Sequence, residues 1–503
     1  MRPRSLDAVA DLVGGTAHHV PATSIGPRVV IDSREVEPGA LFVALPGDRV
    51  DGHRFVAGAV ADGAGAALVA ADRWDPASSD VPVVVVDDPR AALGRLSRAL
   101  LDAEADVPGR TRPLLVLGIT GSMGKTSTKD LVAHVLGAAA PTVAPRNSFN
   151  NEIGVPLTAT AVDGATGFLV SEMGARGIGH ITTLCEFTPP RIGVVLNVAH
   201  AHIGEFGSQQ AIARAKGELV EALPVEGWAV LNADDPLVAA MVERTAAAVA
   251  WFSLGEHADR PRLPDARPTV WVGAAEVEHD AWGRHHFDLL LARGEEPPVS
   301  VGRVGLATPG RAQLSNALAA AAAAIAAGLE PSEVAASLDG AGLRSRWRME
   351  LHPCADDSLV VNDAYNANPD AVLGAVGTVA GMARDNQRRF GVVLGDMLEL
   401  GDQAVADHRA TGQAVAAAGA SWAVFVGQHA GDQAVGARSA GLDEDSISEA
   451  ADHATALEQI GRHHRSGDVV LVKGSRGMAL ETVADALVAR LGPAAAPTDG
   501  GAA

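Results

Sequence analysis

Cysteine is almost missing from this chain: Cys185 and Cys354 are the only two in 503 residues, far apart and without CxxC or Cys/His spacing. That excludes a disulfide scaffold and a zinc module, and it fits a reducing cytoplasm. Basic residues are also in deficit, 40 Lys and Arg against 61 Asp and Glu, for a formal net charge of −21. A broad cationic surface tracking a nucleic acid is therefore not expected, and any anionic ligand must be held by local groups. Long hydrophobic runs are missing too. The most apolar stretch, around 318–327, is short and alanine-rich, whereas crossing a bilayer core of about 30 Å takes about 20 strongly apolar residues. The opening MRPRSLDAVADLVGG carries neither a sustained apolar segment nor a small-residue cleavage site, so no signal peptide and no membrane insertion are expected.

What the chain does contain is ample core material. Hydrophobic residues make up 47% and charged residues 20%, which excludes disorder as the main state and lets each domain bury a core without staples. At roughly 100 to 200 residues per domain the length allows about three or four domains. The stretch DVPGRTRP, around 106–113, mixes prolines, a glycine and charges before the apolar run LLVLGIT, and marks the first boundary. Before it, short β-branched runs alternate with turns and one helix ending in glycine. From Leu114 onward the order is strand, glycine-rich turn, helix over Thr126–Leu136, then strands at FLVSEMG, RIGVVLNV and WAVLNAD with helices between. Continuous apolar strands joined by helices predict parallel pairing in a covered sheet. Residues 265–306 read as antiparallel strands, and a helix from Arg311 to Ala327 closes the unit. After Arg344, SLVVNDAY, RRFGVVLGD, WAVFVG and DVVLVKG repeat the α/β pattern in a second doubly wound unit.

The fold class expected is therefore α/β with three domains: a small N-terminal α/β substrate domain over 1–110, a central parallel-sheet phosphate-loop ATPase domain over 111–340, and a C-terminal Rossmann-like α/β domain over 341–490. The proline- and small-residue-rich end, 491–503, reads as a disordered tail.

The most informative segment is GITGSMGKTST, between an apolar strand and a helix. Backbone amides of Gly121, Ser122, Met123, Gly124, Lys125 and Thr126 can close around phosphate oxygens, because the glycines put no side chain in the way and the helix N-terminus adds positive potential. Lys125 would reach the terminal phosphates of ATP and the Thr126 hydroxyl would coordinate Mg²⁺. Ile119 stands where the GxxxxGK[ST] pattern has its first glycine, so the expectation of an NTP site rests on the strand–turn–helix context. Glu172, His202, Asp234 and Asp235 follow other central strands, at the sheet edge where open parallel sheets bind ligands. Glu172 and His202 suit a second Mg²⁺, whereas Asp234 and Asp235 before Pro236 serve a turn equally well. Lys216 lies on a helix, and its spacing alone gives only a solvated lysine.

Taken in order from Asp32 to Glu481, these pieces resemble the Mur ligase family of ATP-dependent amide-forming enzymes of peptidoglycan synthesis. The residues that carry the resemblance are DSREVEPGALFVALPGDRVDGHRF, NSFNNEIGVPLT after the phosphate loop, NDAYNANPDA and GDMLELG. The resemblance implies that UDP-N-acetylmuramoyl-tripeptide and D-alanyl-D-alanine are joined in the cytoplasm by a monomer, through an acyl phosphate, with two Mg²⁺ ions and domains that close by rotation. It places Ser33 and Arg34 on the UDP end, Asn150, Asn151, Asn368 and Lys473 on the substrate, and Asn316, Asp363 and Asn366 on ATP. It also reinterprets Lys216, in AIARAKGEL, as a lysine that carbon dioxide converts to an anionic carbamate beside the metal. The proton acceptor for the attacking amine stays open between His202 and a carboxylate, and GDMLELG reads equally as a strand-to-helix turn. Other ligases of the superfamily, the one adding the third peptide residue or folylpolyglutamate synthetase, share the loop. The DNPR segment usual in the diaminopimelate-adding ligase is not present in the last third.

Overall fold

The computed structural model describes the chain except for residues 20–23, 48–49, 76, 78, 106–111, 147, 200–205, 207, 264 and 495–503. Among the described residues it forms three sheets. The first joins Val29–Val30, Leu41–Val43, Ala66–Ala70 and Val83–Val86 in parallel and adds Thr16–His18 antiparallel at one edge. The helix Pro89–Ala105 covers this sheet and carries its contact with the next unit: the Ser97 hydroxyl donates to the Phe187 carbonyl at 2.9 Å, and a Cβ on Gly94 would meet the Phe187 ring at 2.5 Å.

The central sheet is where sequence pattern and structure agree most directly. Leu115–Thr120 lies between Phe168–Glu172 and Ile192–Val195, parallel to both, with Ile119 opposite Glu172. Trp228–Asn232, Ala248–Phe252 and Thr269–His279 continue the parallel order outward. His285–Arg293 and Val299–Gly305 then run antiparallel, as the charged, turn-rich sequence there predicts, so the sheet is mixed rather than wholly parallel. The sheet is covered on both faces. On one face lies Arg311–Ala326, whose residues Ala317–Ala324 are fully buried. Alanine there lets this helix approach both the sheet and the phosphate-loop helix Lys125–Ala139 closely, which is why the most apolar stretch of the chain is core.

The third sheet places Val469–Lys473 between Leu359–Asn362 and Phe390–Gly395, then Trp422–Val426 and Ile447–Ala450, all parallel, with Glu350–Pro353 antiparallel at the edge. The sequence pattern misses the two short edge strands, Glu350–Pro353 and Ile447–Ala450, because half-exposed residues there lack an apolar run. One expectation needs correction. The disordered tail does not start at residue 491: Ala355 donates to the Gly492 carbonyl at 2.8 Å and Ala494 to the Pro353 carbonyl at 2.9 Å. Backbone pairing, which small residues and proline allow at an edge, docks 492–494 despite their composition. No helix among the described residues is long and apolar enough to cross a membrane.

Candidate active site

The chain reverses its direction of sheet building around Leu115–Thr120, and the loop leaving that strand opens a cavity of about 990 Å³. The phosphate loop forms one wall, while Asp363, Tyr365, Asn366, Asn368, Lys473 and Ser475 of the C-terminal unit line the other. Two glycines are required by geometry. Gly124 has φ +81°, and a Cβ there would lie 2.4 Å from Asn316 Oδ1, while a Cβ on Gly121 would lie 2.8 Å from Leu196 Cβ.

The amide donors differ from the expected set. Ser122 N–H donates to the Asn197 carbonyl at 3.0 Å and Met123 N–H to Asn197 Oδ1 at 2.9 Å, so neither is free for a phosphate. Asn197 Nδ2 also donates to the Met123 carbonyl at 3.2 Å, which clamps the loop from the end of a neighbouring strand. The next amides, Gly124 to Ser127, make no hydrogen bond among the described residues, and Gly124 caps the helix without a side chain. Four donors at a helix N-terminus thus line the cavity unpaired.

Lys125 folds back, donating to the Gly121 carbonyl at 2.7 Å. Burial lowers its pKa, with Arg348 adding to the effect and Glu172 opposing it. The Thr126 hydroxyl donates to Glu172 Oε2 at 2.8 Å and meets Ser148 Oγ at 2.7 Å. Glu172 is 1% exposed, and its other oxygen accepts from Asn150 Nδ2 at 2.9 Å. Lys216, 6% exposed on the helix Gln209–Glu221, lines the same cavity. Burial and then the nearby Lys125 push its pKa well down. Two residues on, Glu218 accepts from the amides of Gly179 at 2.6 Å and Thr182 at 3.0 Å, which fixes the helix His180–Phe187 against this one.

Other predicted residues find different employment. His202 lies outside the described residues. Ser33 and Arg34 do not line the cavity, and Arg34 forks onto Asp32 at the protein surface. Asn151 Oδ1 accepts the amides of Ile153 and Gly154 in the turn before the helix Gly154–Ala159, and Asn368 caps Pro369–Asp385 through its side-chain oxygen, though both also line the cavity. Asn316 holds Gln313 and Thr128 beside the loop. Asp235 caps Pro236–Ala239 and takes the Val198 amide, while Asp234 takes Leu254 and Gly255, so this pair is structural. Lys473, 3% exposed, donates to Asp363 Oδ2 at 2.6 Å and to the Asn366 carbonyl at 2.8 Å, holding the NDAYNAN turn in place. Leu398, Glu399 and Leu400 of GDMLELG line the cavity, so this turn belongs to the site as well as to the fold.

Sequence reading missed Arg348. Its guanidinium lies 4.1 Å from the centre of the Tyr365 ring and 3.4 Å from Ser148 Oγ, while its buried Nε has no partner. Its only sequence signal is a basic residue just past the second domain boundary.

Unpaired amides at a helix N-terminus, a buried carboxylate beside a hydroxyl and a second α/β unit meet across one cavity, an arrangement suited to a nucleotide-dependent enzyme. The Mur ligase middle-domain model matches residues 119–324, the Mur ligase glutamate-ligase-domain model 347–476, and the Mur ligase family catalytic-domain model 28–100. The chain belongs to the Mur ligase family. A Mycobacterium leprae protein named UDP-N-acetylmuramoyl-tripeptide–D-alanyl-D-alanine ligase is 39% identical over 520 residues, covering 95% of this chain and 97% of its own. The Escherichia coli protein of that name is 32% identical over 486 residues, covering 96% and 98%. A crystal structure of MurF from Acinetobacter baumannii superimposes with a TM-score of 0.81 at 29% identity, over 97% of this chain and 99% of that one.

Proposed function

We propose that this protein uses ATP to join the peptide carboxylate of UDP-N-acetylmuramoyl-tripeptide to the amine of D-alanyl-D-alanine, working as a cytoplasmic monomer. A carboxylate resists an amine because its charge repels the nucleophile and oxide is a poor leaving group. Transfer of the terminal phosphoryl group of ATP to that carboxylate gives an acyl phosphate and ADP. Attack by the dipeptide amine then forms a tetrahedral centre that expels phosphate. The observation that carries this reading is the set of unpaired amides from Gly124 to Ser127, facing Arg348 and the Asp363–Lys473 pair across one cavity.

The residues present suit magnesium: the Thr126 hydroxyl and Glu172 carboxylate are already in hydrogen-bond contact and offer hard oxygens. Lys216 fits such a site only without its charge. Burial, with Lys125 adding to it, lowers its pKa and so favours the neutral amine, which can add carbon dioxide and lose a proton, becoming a carbamate with two more oxygen donors. Bound there, two magnesium ions would neutralise charge on the transferring group. Lys125 leaves the Gly121 carbonyl to meet the terminal phosphate, and Arg348 approaches from the opposite wall. Ser33 and Arg34 lie on the N-terminal unit and are assigned to the UDP end. The Asn150, Asn151, Asn366 and Asn368 side chains border the space left for the peptide and the nucleotide.

Phosphate release with UDP-N-acetylmuramoyl-tripeptide tests the reading. Turnover is expected only when D-alanyl-D-alanine is also present, and not with folate substrates. Release driven by folate and glutamate, or none with the tripeptide and dipeptide together, would refute it.

A further inference from the structure

The reaction just described makes no use of Lys129 and Asp130, although they are among the most deeply buried charges in the molecule, 1% and 2% exposed. Both stand on the phosphate-loop helix, about one turn beyond Lys125 and Thr126. Lys129 Nζ lies 2.5 Å from Asp130 Oδ1 and donates to the Pro145 carbonyl at 2.9 Å and to Ser345 Oγ at 3.3 Å. The second Asp130 oxygen accepts the backbone amides of Arg344 at 3.1 Å and Ser345 at 2.7 Å. An ion pair this deep gains little stability by itself, since the loss of water offsets the attraction. Its partners show where it acts. Pro145 opens the segment leading to Ser148 and Asn150, and Arg344–Ser345 is the linker between the central and C-terminal sheets. Arg348 follows the pinned linker by three residues and reaches the cavity.

We propose that the buried Lys129–Asp130 pair is a positioning device that ties the linker at Arg344–Ser345 to the phosphate-loop helix, so that Arg348 and the C-terminal wall meet the nucleotide in register. The pair touches no substrate. It fixes the pivot about which the C-terminal unit is carried, and it sets the Pro145–Asn150 segment from the same point. This inference rests on the ligase reading of the cavity.

The test uses a volume-conserving double variant, Lys129→Met with Asp130→Leu, which removes both charges and the oxygen that accepts both linker amides without leaving an unpaired ion. Its kcat is expected to fall about 100-fold, the scale of a misplacement of about 1 Å at a reacting centre, while ATP affinity stays within about twofold. Lys129→Met with Asp130→Asn keeps an oxygen for the Ser345 amide and is expected to regain most of the lost kcat. The idea is overturned if the folded Met/Leu variant turns over at the normal rate, if both variants lose kcat equally, or if ATP affinity falls in parallel with kcat. Hydrogen exchange on the unaltered protein reads the anchor even if a variant does not fold. The amides of Arg344 and Ser345 should exchange as slowly as the helix interior at Leu131–Leu136, and rapid exchange there would also overturn it. A wild-type enzyme with slow exchange but no tripeptide-dependent turnover would sink the ligase reading and leave the anchor standing.

Discussion

Lys125 and Lys216 share a cavity but differ in what surrounds them. Lys125 is held by a loop carbonyl that a phosphate can replace. Lys125→Ala is expected to reduce ADP formation at least about 100-fold, as loss of a group neutralising transition-state charge does; a coupled ADP assay checks it. Burial, with the nearby Lys125 adding to it, disfavours the charged form of Lys216. The direction of that shift fixes the pH dependence: with the pKa depressed, the reactive amine extends to lower pH than an ordinary lysine allows and is lost as pH falls through the lowered value. Activity is therefore expected to drop in buffers stripped of carbon dioxide and at acid pH. Lys216→Ala should be inactive but partly restored by short carboxylic acids, and an unrescued variant with full activity would remove Lys216 from the site. Cys185, by contrast, is buried, and burial, with Glu218 and Glu186 adding to it, pushes its thiol up to about 12. No alkylation of Cys185 is expected at pH 8 in the native state, as mass spectrometry after iodoacetamide would show.

At the scale of elements, the phosphate loop was legible because its requirements are local: glycine where φ is positive, a hydroxyl and a lysine at the helix start. Gly124→Ala tests this. Both the strained φ and the approach of Asn316 oppose a Cβ there, so ATP binding measured by calorimetry should be lost. The fall in stability should be only about 1 to 3 kcal/mol, the cost of a strained residue. Which amides face the ligand was not legible, since Asn197, seventy-odd residues away, takes Ser122 and Met123. Asn368 and Asn151 show the reverse difficulty. An asparagine before a helix binds local backbone amides, as the cap Asn368 and the turn residue Asn151 do, whatever else it lines, and the sequence motif alone does not separate the two uses.

Across the whole molecule, the central and C-terminal units touch at a second place. The turn at Ala281–Gly283 lies against the C-terminal core: Trp282 packs there beside Arg388, and Asn386 Nδ2 donates to the Ala281 carbonyl at 2.6 Å. Trp282→Ala is expected to loosen this contact, lowering kcat while leaving ATP affinity unchanged and raising the radius of gyration in solution scattering. By itself the sequence determined the three α/β units and the strand, glycine turn and helix that carry Lys125 and Thr126, because strand periodicity and turn chemistry act over a few residues, whereas Lys216 entered the group only through the family resemblance. Only the tertiary structure decided that Arg348 enters the site, that Lys473 serves Asp363, and that Lys129 and Asp130 grip the linker. The Lys473–Asp363 pairing and the grip of Lys129 and Asp130 on the linker join residues 110 to more than 200 positions apart, and only burial in a shared low-dielectric interior selects them.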